Sequence, residues 1–168
     1  MATQAGDVSN RLNAVVSDIE DSIRQLRSTI YELGLAGNEL GIRAKVISLL
    51  RDLTFIVGFE VHCSFDGAVD TAISDVIAEH LLATVRETVT NIGRHAQVTR
   101  AAVQLSVDDD HCRLQVTDNG RGLGGTETTA GGLGLVNLRR RAERLNGQFD
   151  VECPTAGGTV LTWQVPLG

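Results

Sequence analysis

The chain lacks several things that would have narrowed its function at once. No run of apolar residues is long enough to cross a membrane, the stretches around Phe55-Ile-Val57 being far too short. The start, Met-Ala-Thr-Gln-Ala-Gly-Asp, has neither a basic stretch nor an apolar core behind it, so no secretory signal is expected. Cys63, Cys112 and Cys153 are odd in number, widely spaced and contain no C-x-x-C pair. That pattern excludes a disulfide scaffold or a zinc knuckle and predicts buried, reduced thiols in a cytoplasmic protein. Basic excess is missing too: the net charge is −6, and Lys45 is the only lysine. A general binder of nucleic acid or of an acidic membrane needs the opposite balance. Acidity does not exclude an anionic small molecule, because backbone N–H groups and a divalent metal hold phosphate without net positive charge. With 168 residues and 42% hydrophobic content, one domain with a true core is affordable, with room for an appendage.

Periodicity orders the chain. Residues 1–10 read as a tail. Leu12, Val16, Ile19, Ile23, Leu26, Ile30 and Leu33 then alternate four and three apart, the seam of a helix made to pack along another helix, and Gly34, Gly37 and Gly41 end it. A helix from about Ile42 to Leu53 follows, then a strand around 59–65 with Gly67 as its turn. A long helix from about Ser74 to Gly93 buries Ile77, Leu81, Val85, Val89 and Ile92. Alternating Ala101, Val103, Leu105, Val107 and Cys112, Leu114, Val116 predict a hairpin with Asp108-Asp-Asp110 at its tip. After a glycine loop over 119–132, a helix from Leu133 to Leu145 buries Leu135, Leu138, Ala142 and Leu145 and stops at Asn146-Gly147. Strands 148–153 and 159–165 flank a Thr155–Gly158 turn. The domain reads as α/β, and the hairpin-type pairs argue for a mixed or antiparallel sheet covered by helices.

The glycine loop admits several phosphate-binding designs. Gly120-Arg-Gly122-Leu-Gly-Gly125 fits the dinucleotide fingerprint as a string, but Thr126–Ala130 behind it has no helical period and no βαβ unit follows. A P-loop is excluded, since no G-x-x-x-x-G-K-[ST] occurs. The edges of the loop carry more. Glu87 and Asn91 are four apart on one helix and project from the same face. An amide oxygen at Asn91 suits Mg²⁺ on triphosphate oxygens, and Glu87 can hold a metal-bound water or accept a proton. Equally, a solvated Glu and a helix-terminal Asn are ordinary. Asp118, at a strand end, suits an exocyclic amine or an Asx-turn. Gly120 and Gly122 allow the backbone close under a flat ring. Gly132 and Gly134 bare the N–H groups at a helix start, a place for phosphate. Thr159 adds a hydroxyl or only a β-branched strand residue. Arg94 and His95 complement phosphate charge, or His95 satisfies helix-end carbonyls. Arg139, Arg140, Arg141 and Arg144 read as a solvated face or a partner surface rather than as phosphate ligands.

Taken in order, Glu87-Thr-Val-Thr-Asn91-Ile-Gly-Arg94-His95-Ala96, Asp118-Asn-Gly-Arg-Gly122, Gly131-Gly-Leu-Gly134 and Gly157-Gly-Thr159 resemble the N, G1, G2 and G3 boxes of the GHKL, or Bergerat, ATP-binding fold of histidine kinases, Hsp90 and gyrase. Arg86-Glu87, Thr90-Asn91 and Gly132-Leu-Gly134-Leu-Val-Asn-Leu-Arg-Arg-Arg141 look most like NarL-type bacterial sensor histidine kinases, among them actinobacterial oxygen- and redox-sensing two-component kinases. The resemblance implies an ATP-binding catalytic domain over 42–168, folded as an α+β two-layer sandwich whose mixed, mostly antiparallel sheet is covered by helices, with residues 11–36 as the second helix of a dimerisation and phosphoacceptor hairpin. It implies ATP and Mg²⁺ as ligands, with Glu87 catalytic, Asn91 on the metal and Glu87 reaching it through water. Arg94, His95, Asp118, Gly120, Gly122, Gly132, Leu133, Gly134, Leu135 and Thr159 would line the nucleotide. It implies, as partners, the hairpin, a response regulator and a second copy in the full-length protein, with no nucleic acid or membrane contact by this stretch.

Two departures stand out. The histidines read His62-Cys, His80-Leu, His95-Ala and His111-Cys, and none has the following acidic residue that the resemblance asks of a phosphoacceptor. The acceptor is therefore expected outside this sequence, with no autophosphorylation by this chain alone. The lid, Leu123 to Ala130, is short and predicts weak ATP affinity. Two other readings stay open: a stand-alone serine kinase of the anti-sigma type, and a non-catalytic nucleotide-binding heterodimerisation module.

Overall fold

The computed structural model describes residues 41–94, 98–122, 133–155 and 157–168. The expected tail, the seam helix and its hairpin assignment over 11–36, His95, the lid and Gly132 lie outside the described residues.

Helix α1, Ile42–Val57, buries Ile42, Val46, Leu49, Leu50 and Leu53. It runs a turn beyond the expected Leu53, because nothing breaks it before Gly58, whose left-handed backbone donates its N–H to the Thr54 carbonyl. Strand β1, Val61–Asp66, leads to a short helix α2, Val69–Ala72, not anticipated from periodicity. Helix α3, Asp75–Arg94, buries Ile77, Leu81, Val85, Val89 and Ile92 as expected, with Ala78, Thr84 and Thr88 on the same face. Strands β2 (Ala101–Val107) and β3 (His111–Asp118) form the hairpin. At its tip Asp108 Oδ1 accepts the N–H groups of Asp110 (3.0 Å) and His111 (2.7 Å), and these bonds hold the Asp108 carboxyl below its ordinary pKa. Helix α4, Leu133–Glu143, is followed by β4, Gln148–Glu152, and β5, Thr159–Pro166.

The end of α4 divides labour between two residues. Asn146 takes the left-handed backbone (φ 55°), while the N–H groups of Asn146 and Gly147 reach back to the carbonyls of Glu143 and Ala142. Gly147 is needed for a different reason: a Cβ there would run into the Gln164 carbonyl of β5.

The five strands form one sheet in the order β1-β2-β3-β5-β4, with β1 parallel to β2 and every other pair antiparallel. Phe65, Leu105, Leu114, Trp163 and Phe149 line up across it by register and join the core. On the opposite face the matching row is Ser64, Gln104, Gln115, Thr162 and Asp150, which is polar. The pleat thus separates one apolar face, covered by the helices, from one open to water. This is the expected two-layer α+β sandwich. Leu81, Leu114, Leu138 and Trp163 are fully buried. Each large apolar side chain so placed stabilises by about 1.5–3 kcal/mol.

The thiols depart from expectation. Only Cys112 is buried, and burial pushes its pKa up to about 12. Cys63 and Cys153 are exposed. Cys63 sits on β1, an edge strand the helices do not fully cover, and Cys153 lies just past the end of β4. Periodicity reports which face of a strand a residue occupies, not whether a helix reaches over it. Among the described residues no helix is long and apolar enough to cross a membrane.

Candidate functional site

The residues singled out from sequence gather at two places. The first is where α3 meets the start of α4. Glu87 and Asn91, both half-buried, share a face of α3, and Asn91 Nδ2 donates to Glu87 Oε1 at 3.4 Å. Gly134, in the first turn of α4, packs directly on this pair. A Cβ placed on it would lie 2.8 Å from Asn91 Nδ2 and 3.0 Å from Glu87 Oε1. A side chain at this position would have to push the Asn91 amide and the Glu87 carboxylate aside. The amide–carboxylate bond uses the Asn91 nitrogen and leaves its oxygen as an acceptor. At the same spot the first turn of α4 has backbone N–H groups without intrahelical partners. A carboxylate, an amide oxygen and a helix start thus converge.

The second place is where β3 ends beside the start of β5. Asp118 and Thr159 are cross-strand partners. Asp118 Oδ1 accepts the Gly120 N–H at 2.7 Å, so the Asx-turn considered from sequence is made, and it occupies one carboxylate oxygen. The other oxygen is left for a ligand, the two uses not being exclusive. The Gly120 carbonyl accepts the Gly158 N–H at 2.7 Å, and Gly158 (φ 84°) is so close that a Cβ would strike the Asp118 carbonyl. Gly122 lies alongside, with its would-be Cβ 3.6 Å from Cys153 Sγ.

Sequence reasoning passed over the side chain that anchors this turn. Asn119 Oδ1 accepts the N–H groups of Thr99 (3.0 Å) and Arg100 (2.9 Å), and its Nδ2 donates to Thr99 Oγ1 (2.8 Å). Asn119 thereby ties the loop to the lead-in of β2. The available signal was an Asn between an Asp and a Gly at a strand end, a turn composition in which the side chain bonds nearby backbone.

Other expected residues are placed less centrally. Arg94 is exposed in the last turn of α3, and no hydrogen bond or ion pair among the described residues joins it to Glu87 or Asn91. The Leu135 side chain packs against the core. Leu133 is the first residue of α4, and its side chain, like Gly132 and His95, is outside what the structure describes. Arg139, Arg140 and Arg144 are exposed and Arg141 is half-buried. No group of three or more His, Cys, Asp or Glu side chains able to hold a metal occurs among the described residues. A metal at Asn91 and Glu87 would take its remaining ligands from substrate oxygens and water, which is the usual habit of Mg²⁺.

Comparison with known proteins agrees with this geometry. The profile described as "Histidine kinase-, DNA gyrase B-, and HSP90-like ATPase" matches residues 77–168, more than half of the chain and the span that holds both clusters. Sensor histidine kinase LiaS of Bacillus subtilis is 25% identical over 95% of this chain and 49% of its own length. Sensor protein VraS of Staphylococcus aureus is 29% identical over 93% of this chain and 44% of its own. The chain thus spans about half the length of these curated relatives. Among solved structures, the histidine kinase domain of a blue-light activated histidine kinase from Erythrobacter litoralis superposes with a TM-score of 0.61 at 23% identity, covering 76% of this chain and 62% of that one. The mycobacterial sensor histidine kinase MprB gives 0.57 at 18% identity, covering 76% and 95%. These two likenesses concern the fold.

Proposed function

We propose that this chain, which belongs to the histidine kinase-, DNA gyrase B- and HSP90-like ATPase family, is the ATP-binding catalytic part of a two-component sensor histidine kinase. The observation that carries the reading is the packing of bare Gly134 on the Glu87–Asn91 pair, which sets a helix start beside a carboxylate and an amide oxygen. The catalytic domain in this reading is 42–168, and residues 11–36 contribute the second helix of a dimerising hairpin.

Asp118, through its remaining carboxylate oxygen, accepts from the adenine amine, and Gly120, Gly122 and Thr159 border the base. Unpaired N–H groups at the start of α4 and the charge of Arg94 and His95 receive the phosphates. Asn91 would hold Mg²⁺ through its amide oxygen, with Glu87 reaching it through water, and the ion would supply charge neutralisation at the triphosphate. An imidazole nitrogen of a histidine outside this sequence attacks the γ-phosphorus in line. The bond to the ADP oxygen breaks, and Glu87 takes the imidazole proton. The phosphoryl group then passes to a response regulator. A cytoplasmic setting and dimerisation in the full-length protein follow from the same reading.

Titration of ATP into wild type and Asn91→Ala, each with and without Mg²⁺, tests the metal assignment. Wild type should bind at least tenfold more tightly with Mg²⁺, and the variant should lose that difference. Equal affinity in all four titrations would sink it. Mixing the chain with a separately made phosphoacceptor hairpin and labelled ATP tests the reaction. Acid-labile, base-stable phosphate on the hairpin supports phosphohistidine. Phosphoserine would favour the anti-sigma type of kinase, and no transfer the binding module.

A further inference from the structure

The arginines of α4 are unexplained by the nucleotide site, and their arrangement is specific. Asn137, Arg140, Arg141 and Arg144 follow the i, i+3, i+4, i+7 spacing that puts side chains on one helix stripe. Together they line a concavity of about 130 Å³. None of the three guanidinium groups has a carboxylate partner among the described residues, in a protein whose net charge is −6. Arg141 Nε is buried without a hydrogen-bond acceptor. Like charges three and four apart on a helix repel, by a few tenths of a kcal/mol per pair. The C-terminal end of the helix dipole offsets part of this for Arg140 and Arg141 in the last turn. It supplies no acceptor for the buried Nε, whose desolvation stays uncompensated.

We propose that Asn137, Arg140, Arg141 and Arg144 form an anion site that takes a phosphate-type dianion, distinct from the candidate nucleotide site. Guanidinium groups present planar forks of donors that match oxyanion oxygens two at a time, and three of them balance a dianion better than a single carboxylate. The amide of Asn137 adds a neutral donor. Gly134 marks the opposite end of the helix, about 10 Å along the axis from Arg141 and about 15 Å from Arg144 at 1.5 Å per residue. The proposal stands whether or not the nucleotide reading holds.

The test follows backbone amide shifts of the full chain as inorganic phosphate is added at constant ionic strength, with chloride as reference. Saturable shifts confined to residues 137–145 are expected, weakened at least fivefold in Arg141→Gln and in Arg144→Gln and unchanged in Asn91→Ala. Because Arg144 is exposed, its variant keeps the test valid if Arg141→Gln fails to fold. Shifts that grow linearly without saturating, or that chloride reproduces, would overturn the site. Tighter saturation by hexaglutamate than by phosphate would overturn it too, making the stripe a docking face for an acidic protein segment.

Discussion

The two ends of the candidate site are built by different means. At the proposed base end, Asp118, Gly120 and Gly158 are held by two hydrogen bonds of 2.7 Å, from the Gly120 N–H to Asp118 Oδ1 and from the Gly158 N–H to the Gly120 carbonyl, by the Asp118–Thr159 register and by the Asn119 clamp. At the proposed phosphate end, one long side-chain bond of 3.4 Å joins Asn91 to Glu87, and Gly134 touches both through close packing alone. The base end is a preformed part of the sheet. The proposed phosphate end rests on two half-buried side chains joined by that single long bond. A rigid end costs little ordering on binding and selects shape, whereas a soft end can tighten around charge as it develops.

This contrast can be broken most forcefully at Gly158. Gly158→Val needs a left-handed backbone for a β-branched residue and drives its Cβ into the Asp118 carbonyl. It should cost about 2–4 kcal/mol of stability by urea unfolding, together with ATP binding. Wild-type stability in this variant would mean that the base end is not rigid.

Gly134→Ala should separate function from stability. The new methyl displaces the Asn91 amide, a flexible side chain, so ATP affinity in Mg²⁺ should fall about tenfold, near 1.4 kcal/mol. Thermal stability should hold or rise slightly, because alanine favours helix over glycine. If the melting temperature drops as much as affinity does, the phosphate end is as rigid as the base end.

The smallest effect concerns the thiols. Cys153 is exposed beside Gly122, so ATP should slow its alkylation a few-fold and leave that of Cys63, on the sheet edge, unchanged. Cys112 should stay unmodified in the folded protein, its thiol being buried and pushed to about 12. Equal protection of Cys63 and Cys153 would remove Gly122 from the base end.

Much of this was legible beforehand. Leu81, Val85 and Val89 identify the buried face of α3 from spacing alone, and Asn146-Gly147 marks the end of α4 from turn chemistry. The boxes around Glu87–Asn91, Asp118–Gly122 and Gly134 fall on residues that the fold gathers into two clusters. Asn119 was missed because its contribution is a clamp to Thr99 and Arg100, which lie across the hairpin. Cys63 was misjudged because the cover over an edge strand depends on where helices sit.

By itself, then, the sequence determined the succession of helices and strands apart from the short α2, the face each one turns inward and the residue types at each edge of the glycine loop. Those follow from the helical turn, the pleat and the φ preferences of single residues, all of which act over a few positions. The tertiary structure alone decided that Gly134 lies on Glu87 and Asn91, that Gly158 closes on Asp118, which thiols see water and that Arg141 buries a donor without an acceptor. These depend on strand order and on how helices pack over the sheet, where the approach of atoms distant in the chain is set by the volume and polarity of everything between them.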